Sequence, residues 1–320
     1  MRLVATPANP IPEGAIVATV RAVDGVRLRT ARWTPPVAVR GTVAVLGGRA
    51  EFIEKYFETI QDLLDRGFAV AAMDWRGQGG STRQLSNPRK GHIDDFSLYE
   101  RDLEAFVSEV LGPCCPQPWF GLCHSMGGAI VLAAARAGRC PFERVVMTSP
   151  MIALAGVRNP GLARFLAEAL DAVGLGGSFA PGGGSAIVSA APFEGNPLTS
   201  DPVRYGRMAG VVAEEPALGL GWPTVGWLNA AFRLMRAFEE PEFPRRTLTP
   251  ILVVASGADR VTDTRAAERF ASRLRAGRII VVEGAAHELM VERDLFRDRF
   301  WAAFDAFIPG REAEKARAIS

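Results

Sequence analysis

The sequence predicts an α/β architecture: a mainly parallel, eight-stranded sheet with helices on both faces and a helical insertion ahead of the last strands. Three observations carry this prediction. Short apolar runs alternate with longer segments of helical period, an Asp-Gly pair divides two strand-like stretches near the start, and the alternation stops from about residue 151 to 246 before resuming.

The elements follow in order. Ile16 to Val23 and Val26 to Thr34 flank Asp24-Gly25, a strong hairpin signal, and form an antiparallel edge. Thr42 to Leu46 is a continuous apolar run, as expected of a strand buried on both faces. Glu51 to Arg66 has helical periodicity closed by Gly67, and strand Phe68 to Met73 follows at once. Helix Leu98 to Val110, strand Trp119 to Leu122, helix Met126 to Ala137 and strand Arg144 to Thr148 continue the alternation, which implies right-handed crossovers. The stretch 151–246 carries Gly174-Leu175-Gly176-Gly177 and Gly182-Gly183-Gly184, with helical stretches near Leu162 to Val173 and Gly226 to Phe238. It reads as a cap over a core of residues 1–150 and 247–320; its glycine-rich joints suit either a moving lid or a permanently packed subdomain. Strand Ile251 to Ala255, helix Thr264 to Leu274, strand Arg278 to Val282 and helix Asp294 to Phe307 complete the pattern. The tail from Pro309 to Ser320 reads as frayed.

Composition narrows the function classes. With 37 Lys and Arg against 35 Asp and Glu, the formal charge of +2 offers no field for nucleic acid, and any lipid contact has to come from an apolar patch. Met1 to Pro10 has no signal-peptide h-region, and no apolar stretch reaches the roughly 18 residues of a membrane span, so a cytoplasmic protein is expected. Cys114, Cys115, Cys123 and Cys140 show no metal-ligand spacing and suit reduced thiols. No cofactor or metal is expected.

The run Trp119-Phe120-Gly121-Leu122-Cys123-His124-Ser125-Met126-Gly127-Gly128 sets a serine between a strand and a helix, the context of a nucleophile elbow. Such a turn needs small residues two before and two after the serine; Cys123 and Gly127 stand there. The same window also fits a serine that merely caps a helix. A serine hydroxyl needs a base and an orienting acid, and there are 3 histidines to choose from. His124 adjoins the serine and points away from it, and His92 precedes a helix, so a structural or substrate-lining role suits it. His287 follows the last strand on a loop at that strand's C-terminal end, where open α/β sheets build their sites. Asp259 follows strand Ile251 to Ala255 in the same way. Asp263, the competing carboxylate, better caps the next helix. Ser125, Asp259 and His287 thus appear in the order expected of nucleophile, acid and base. Oxyanion donors are expected from Met126 N–H, at the helix N-terminus, and from Arg49 N–H in Gly47-Gly48-Arg49-Ala50. The Arg49 guanidinium is either solvated or set against an anionic head group.

Asp74-Trp75-Arg76-Gly77-Gln78-Gly79-Gly80-Ser81 resembles the D-x-R-G-x-G-x-S stretch of α/β-hydrolases, and the elbow and His287 extend that resemblance over the catalytic core. Within that fold, the chain resembles the lysophospholipase and monoacylglycerol lipase group, often labelled serine aminopeptidase-like. Gly48 to Tyr56, Asn196 to Asp201 and Pro223 to Leu228 carry the likeness into the cap. The resemblance implies an α/β-hydrolase fold, ester cleavage on acylglycerols or lysophospholipids, a mobile cap and no metal; an acyl-enzyme on Ser125 and transient contact with a membrane surface are further expectations. Gly48, His124, Trp222 and Trp227 are the expected substrate-binding residues, with Phe193 and Phe232 as further apolar material for an acyl channel; each aromatic also fits an ordinary core position. A small-molecule carboxylesterase or an acyltransferase would use the same three residues, and a binding module that has kept the fold without catalysis is a further alternative.

Overall fold

The computed structural model describes residues 2–35 and 39–308; the tail expected to fray lies outside them. Eight strands form one sheet in the order β1-β2-β4-β3-β5-β6-β7-β8. They are β1 (Ile16–Arg21), β2 (Arg27–Trp33), β3 (Thr42–Leu46), β4 (Ala69–Met73), β5 (Trp119–His124), β6 (Arg144–Thr148), β7 (Ile251–Ser256) and β8 (Gly277–Val282). β1 and β2 pair antiparallel across the turn at Gly25, and β2 runs antiparallel to β4; every other pairing is parallel.

The period-two geometry of a strand explains the two cores. Val43 and Val45 of β3 join a cluster with helix α1 (Phe57–Asp65) and the last helix, α8 (Asp294–Phe307), whereas Ala44 and Leu46 face helices α2 (Ser97–Phe106), α3 (Met126–Arg136) and α7 (Thr264–Ala271). Both faces of β3 are therefore dry, which is why its sequence is a continuous apolar run instead of an alternating one.

Between β6 and β7 the chain adds no strand to the sheet. It contributes helices α4 (Pro160–Leu170), α5 (Pro202–Glu214) and α6 (Val225–Glu239). The sequence reading anticipated α4 and α6 but not α5. The loops after β3, β5, β7 and β8, all parallel strands, emerge at one rim of the sheet, where Gly47, Ser125, Asp259 and His287 are found.

Candidate active site

At the end of β5 the chain reverses at Ser125, with φ 48° and ψ −113°. This backbone is strained for a residue with a Cβ and persists only when its surroundings hold it. Ser125 N–H donates to the Thr148 carbonyl at 3.1 Å, and the Ser125 carbonyl accepts from Met151 N–H at 3.0 Å. The turn also requires α3 to press on the end of β3. A Cβ on Gly127 would lie 2.4 Å from the Leu46 carbonyl oxygen and 2.7 Å from that of Gly47, so no larger residue fits. Cys123 is fully buried in the core on the α3 face.

The rim brings three distant side chains together. Ser125 Oγ lies 3.2 Å from His287 Nε2, and His287 Nδ1 lies 2.8 Å from Asp259 Oδ2. The second Asp259 oxygen accepts the Val261 and Thr262 amides at 2.7 and 2.9 Å, while Thr262 Oγ1 donates to Oδ2 at 2.8 Å. Burial raises the pKa of Asp259, but the hydrogen bond and charge of His287 together with these amides outweigh it, holding the carboxyl below its ordinary range. An ionised Asp259 keeps the proton on Nδ1, leaving Nε2 to accept from the serine hydroxyl. The histidine's backbone is pinned on both sides: Ala286 N–H donates to Glu292 Oε1 at 2.8 Å, and Glu288 N–H to the Leu198 carbonyl at 2.8 Å. Asp263 caps α7 through Ala266 N–H. His92 joins Thr224 at 2.8 Å and Asp94 at 3.0 Å, tying the loop before α2 to the residue that caps α6.

The Asp74–Ser81 stretch supports the loop after β3. Trp75 Nε1 donates to the Gly47 carbonyl at 2.9 Å, Gln78 Nε2 to that of Gly48 at 2.7 Å, and Ala50 N–H to Gln78 Oε1 at 3.2 Å. Asp74 accepts Ile53 N–H, Gly80 N–H and the Arg29 guanidinium. Gly48 is pressed against the elbow, since a Cβ there would sit 3.1 Å from Ser125 Cβ. Its N–H donates to Glu51 Oε2, which leaves the next amide, that of Arg49, as the loop's candidate oxyanion donor.

Behind the imidazole lies a buried ionic cluster that the sequence reading did not find. Lys55 Nζ sits 2.5 Å from Glu51 Oε1 and 2.6 Å from Glu288 Oε1, and Tyr56 OH donates to Glu51. Burial raises the Glu51 pKa, yet the Lys55 charge, the neighbouring His124 and the hydrogen bonds from Lys55 and Tyr56 together outweigh it and bring the carboxyl down to about 2. His124 Nε2 is 3.5 Å from Glu51 Oε1, and its ring centroid is 4.7 Å from that of His287. Burial pushes His124 down to about 3, so it is neutral at ordinary pH. Ligand atoms of Glu51, His124 and Glu288 lie within 4.8 Å of one another, a spacing that suits a cation. The Lys55 ammonium supplies that positive charge.

The other expected substrate contacts are scattered. His124 is 1% exposed and packs at a tilt against His287, closed off from solvent. Trp227 is buried with the Arg49 guanidinium 5.5 Å above its ring, whereas Trp222 is 48% exposed. Phe193 packs on Tyr205. Phe232 lines a cavity of about 630 Å³ between the helical segment and the core, with Ile152, Leu154, Met235, Phe238 and Phe270; Ser125 is not among its lining residues.

Comparison with known proteins gives this geometry a family. Residues 37–294 match the family described as serine aminopeptidase, S33. The chain belongs to the serine aminopeptidase S33 family. Among proteins similar to this S33 member is lysophospholipase L2 of Escherichia coli (strain K12), 33% identical over 271 residues that span 80% of this chain and 76% of that one. The monoglyceride lipase of Rattus norvegicus is 30% identical over 271 residues, 84% of this chain and 82% of its own. In fold, this S33 chain superposes on a carboxyl esterase from Bacillus coagulans with a TM-score of 0.74 at 20% identity, covering 93% and 99% of the two chains. The eight-stranded α/β-hydrolase fold expected from the sequence is the fold of the protein.

Proposed function

We propose that the protein hydrolyses carboxylic esters of the lysophospholipid or monoacylglycerol kind through an acyl-enzyme on Ser125. The observation that carries this reading is the continuous hydrogen-bonded chain from Ser125 through His287 to an ionised Asp259, built on a strained elbow at the C-terminal rim. In the mechanism, His287 Nε2 takes the hydroxyl proton as Ser125 Oγ attacks the ester carbonyl. The Met126 and Arg49 amides receive the negative charge that develops on the carbonyl oxygen, and Asp259 stabilises the imidazolium without taking its proton. The imidazolium then protonates the leaving alcohol. Water, deprotonated by the same imidazole, releases the carboxylic acid and restores the serine.

Residues 151–246 act in this reading as a cap over the core of 1–150 and 247–320, and the 630 Å³ cavity beneath α4 and α6, apolar along Ile152, Leu154, Phe232, Met235, Phe238 and Phe270, is the candidate acyl compartment. Gly48 presses on the elbow at Ser125, and His124 backs the imidazole. Leu162, Phe165 and Leu166 recur at i, i+3 and i+4 on α4 and are all exposed, as are Val173 and Leu175; such an apolar patch suits transient contact with a lipid surface. No helix among the described residues is long and apolar enough to cross a membrane. Turnover of p-nitrophenyl acyl esters tests the reading: Ser125→Ala is expected to abolish it, and retention of wild-type turnover by that variant refutes it.

A further inference from the structure

Arg49, on the loop after β3 that packs against the elbow, is a cation without a carboxylate partner. Among the described residues no Asp or Glu pairs with it; burial alone pushes its guanidinium down to about 10, where it still carries charge at neutral pH. Its Nη2 donates at 2.5 Å to the Gly221 carbonyl in the segment before α6, and its Nε is buried with no hydrogen-bond acceptor. The guanidinium lies over the Trp227 ring and packs against Gly91, where a Cβ would stand 2.9 Å from Nη2, so glycine there is what leaves room for the guanidinium. A guanidinium offers five donors; Arg49 is half-buried, and its Nε is fully buried with no partner, a cost that an anion would relieve. By contrast, the fully buried arginines Arg29 and Arg76 are each matched to two carboxylates.

We propose that Arg49 is the anion receptor of the site, its guanidinium binding the phosphate of a lysophospholipid while its own amide holds the ester's oxyanion. The proposal rests on the ester-hydrolase reading above and chooses within it a phosphate-bearing substrate over a neutral acylglycerol. Covalent geometry suits it. About six bonds separate the arginine amide nitrogen from Cζ, and about six separate the carbonyl carbon of a 1-acylglycerol 3-phosphate from phosphorus. One residue thereby spans the scissile ester and the head group. Arginine suits phosphate because two of its N–H groups match two oxygens.

The test compares 1-acylglycerol 3-phosphate with the 1-acylglycerol of the same chain, which differ by the phosphate alone. The readout is the ratio of their kcat/KM values in wild type, Arg49→Gln and Arg49→Lys, normalised to serine titrated with a fluorophosphonate so that misfolded protein does not count. Loss of the shared amide function cancels in that ratio. The expected result is a preference for the phosphate ester that falls about tenfold or more in the glutamine variant and partly returns in the lysine variant. Equal loss on both substrates, or no preference in wild type, overturns the proposal and makes Arg49 a latch to the Gly221 carbonyl. Inhibition of wild type by inorganic phosphate without preference for the phosphate ester also overturns it, showing a site for the free anion. Cleavage of p-nitrophenyl esters with neither lipid turned over refutes the lipid-ester reading itself.

Discussion

Lys55 is the only cation touching the Glu51 and Glu288 carboxylates among the described residues, so Lys55→Met is an informative perturbation. The substitution keeps most of the stem and removes the ammonium, leaving Glu51 and Glu288 buried without their shared counter-ion. Removing one partner of a buried ion pair typically costs about 3–5 kcal/mol. The unfolding entropy of a 320-residue chain is about 0.7 kcal/mol/K, so Tm is expected to fall by about 4–7 °C. Glu51 also holds Gly48 N–H beside Ser125, and Glu288 follows His287 directly, so kcat should fall as well. Adding Glu51→Gln and Glu288→Gln removes the stranded charges and should recover much of the lost stability. Differential scanning fluorimetry and ester turnover on the same samples provide the assay. A single variant that melts within about 1 °C of wild type would show that the ammonium does not balance these carboxylates.

Gly127→Ala brings a Cβ to 2.4 Å from the Leu46 carbonyl oxygen, so α3 has to move off β3; activity is expected to collapse with a lowered Tm, and an unchanged kcat would contradict the elbow geometry. Asp259→Asn should lower kcat by about 10⁴-fold with a small change in KM, since the amide no longer secures the Nδ1-protonated imidazole; a loss confined to KM would assign Asp259 to binding instead. His124 is held neutral in the fold, its pKa lowered from 6.5 to about 3. As pH falls below 6.5 the unfolded chain takes up the proton first, so stability is lost progressively between pH 6.5 and about 3. A His124→Gln variant should show a shallower loss of urea-unfolding free energy between pH 7 and 5 than wild type, and parallel slopes would refute the assignment.

Some of this architecture was written in short-range patterns. β3 and β6 carry the bounds read from the sequence, because strands buried on both faces have an uninterrupted apolar interior. Asp24-Gly25 marked its hairpin because Gly25 adopts φ 83°. Helix α5 escaped notice for the opposite reason. Its sequence, with Gly206 and Gly210, has weak helical signal, and it is secured by the Asp201 cap and by Arg204 and Arg207, which bind Glu58 of α1. The reading also began a helix at Glu51, whereas the chain there is extended at Phe52, forms a 3₁₀ turn over Ile53–Tyr56 and becomes α-helical only at Phe57. The expected acid and base follow strands in an order the fold constrains, so position alone singles out Asp259 and His287 as candidates, and the structure brings them together with Ser125. The Lys55 cluster could not. Glu51 and Lys55 stand at i and i+4, a spacing that ordinarily marks a solvated surface pair, and Glu288 lies far along the chain.

The central claim is that Ser125 is an activated nucleophile. Reaction with a fluorophosphonate, followed by intact mass and peptide mapping, tests it most directly, because the probe requires an activated serine and no knowledge of the natural substrate. The account predicts a single adduct on Ser125 with matching loss of ester turnover, much slower labelling in His287→Ala, and none at that peptide in Ser125→Ala. Wild-type protein that is folded yet unlabelled, or labelled at another residue, would contradict it.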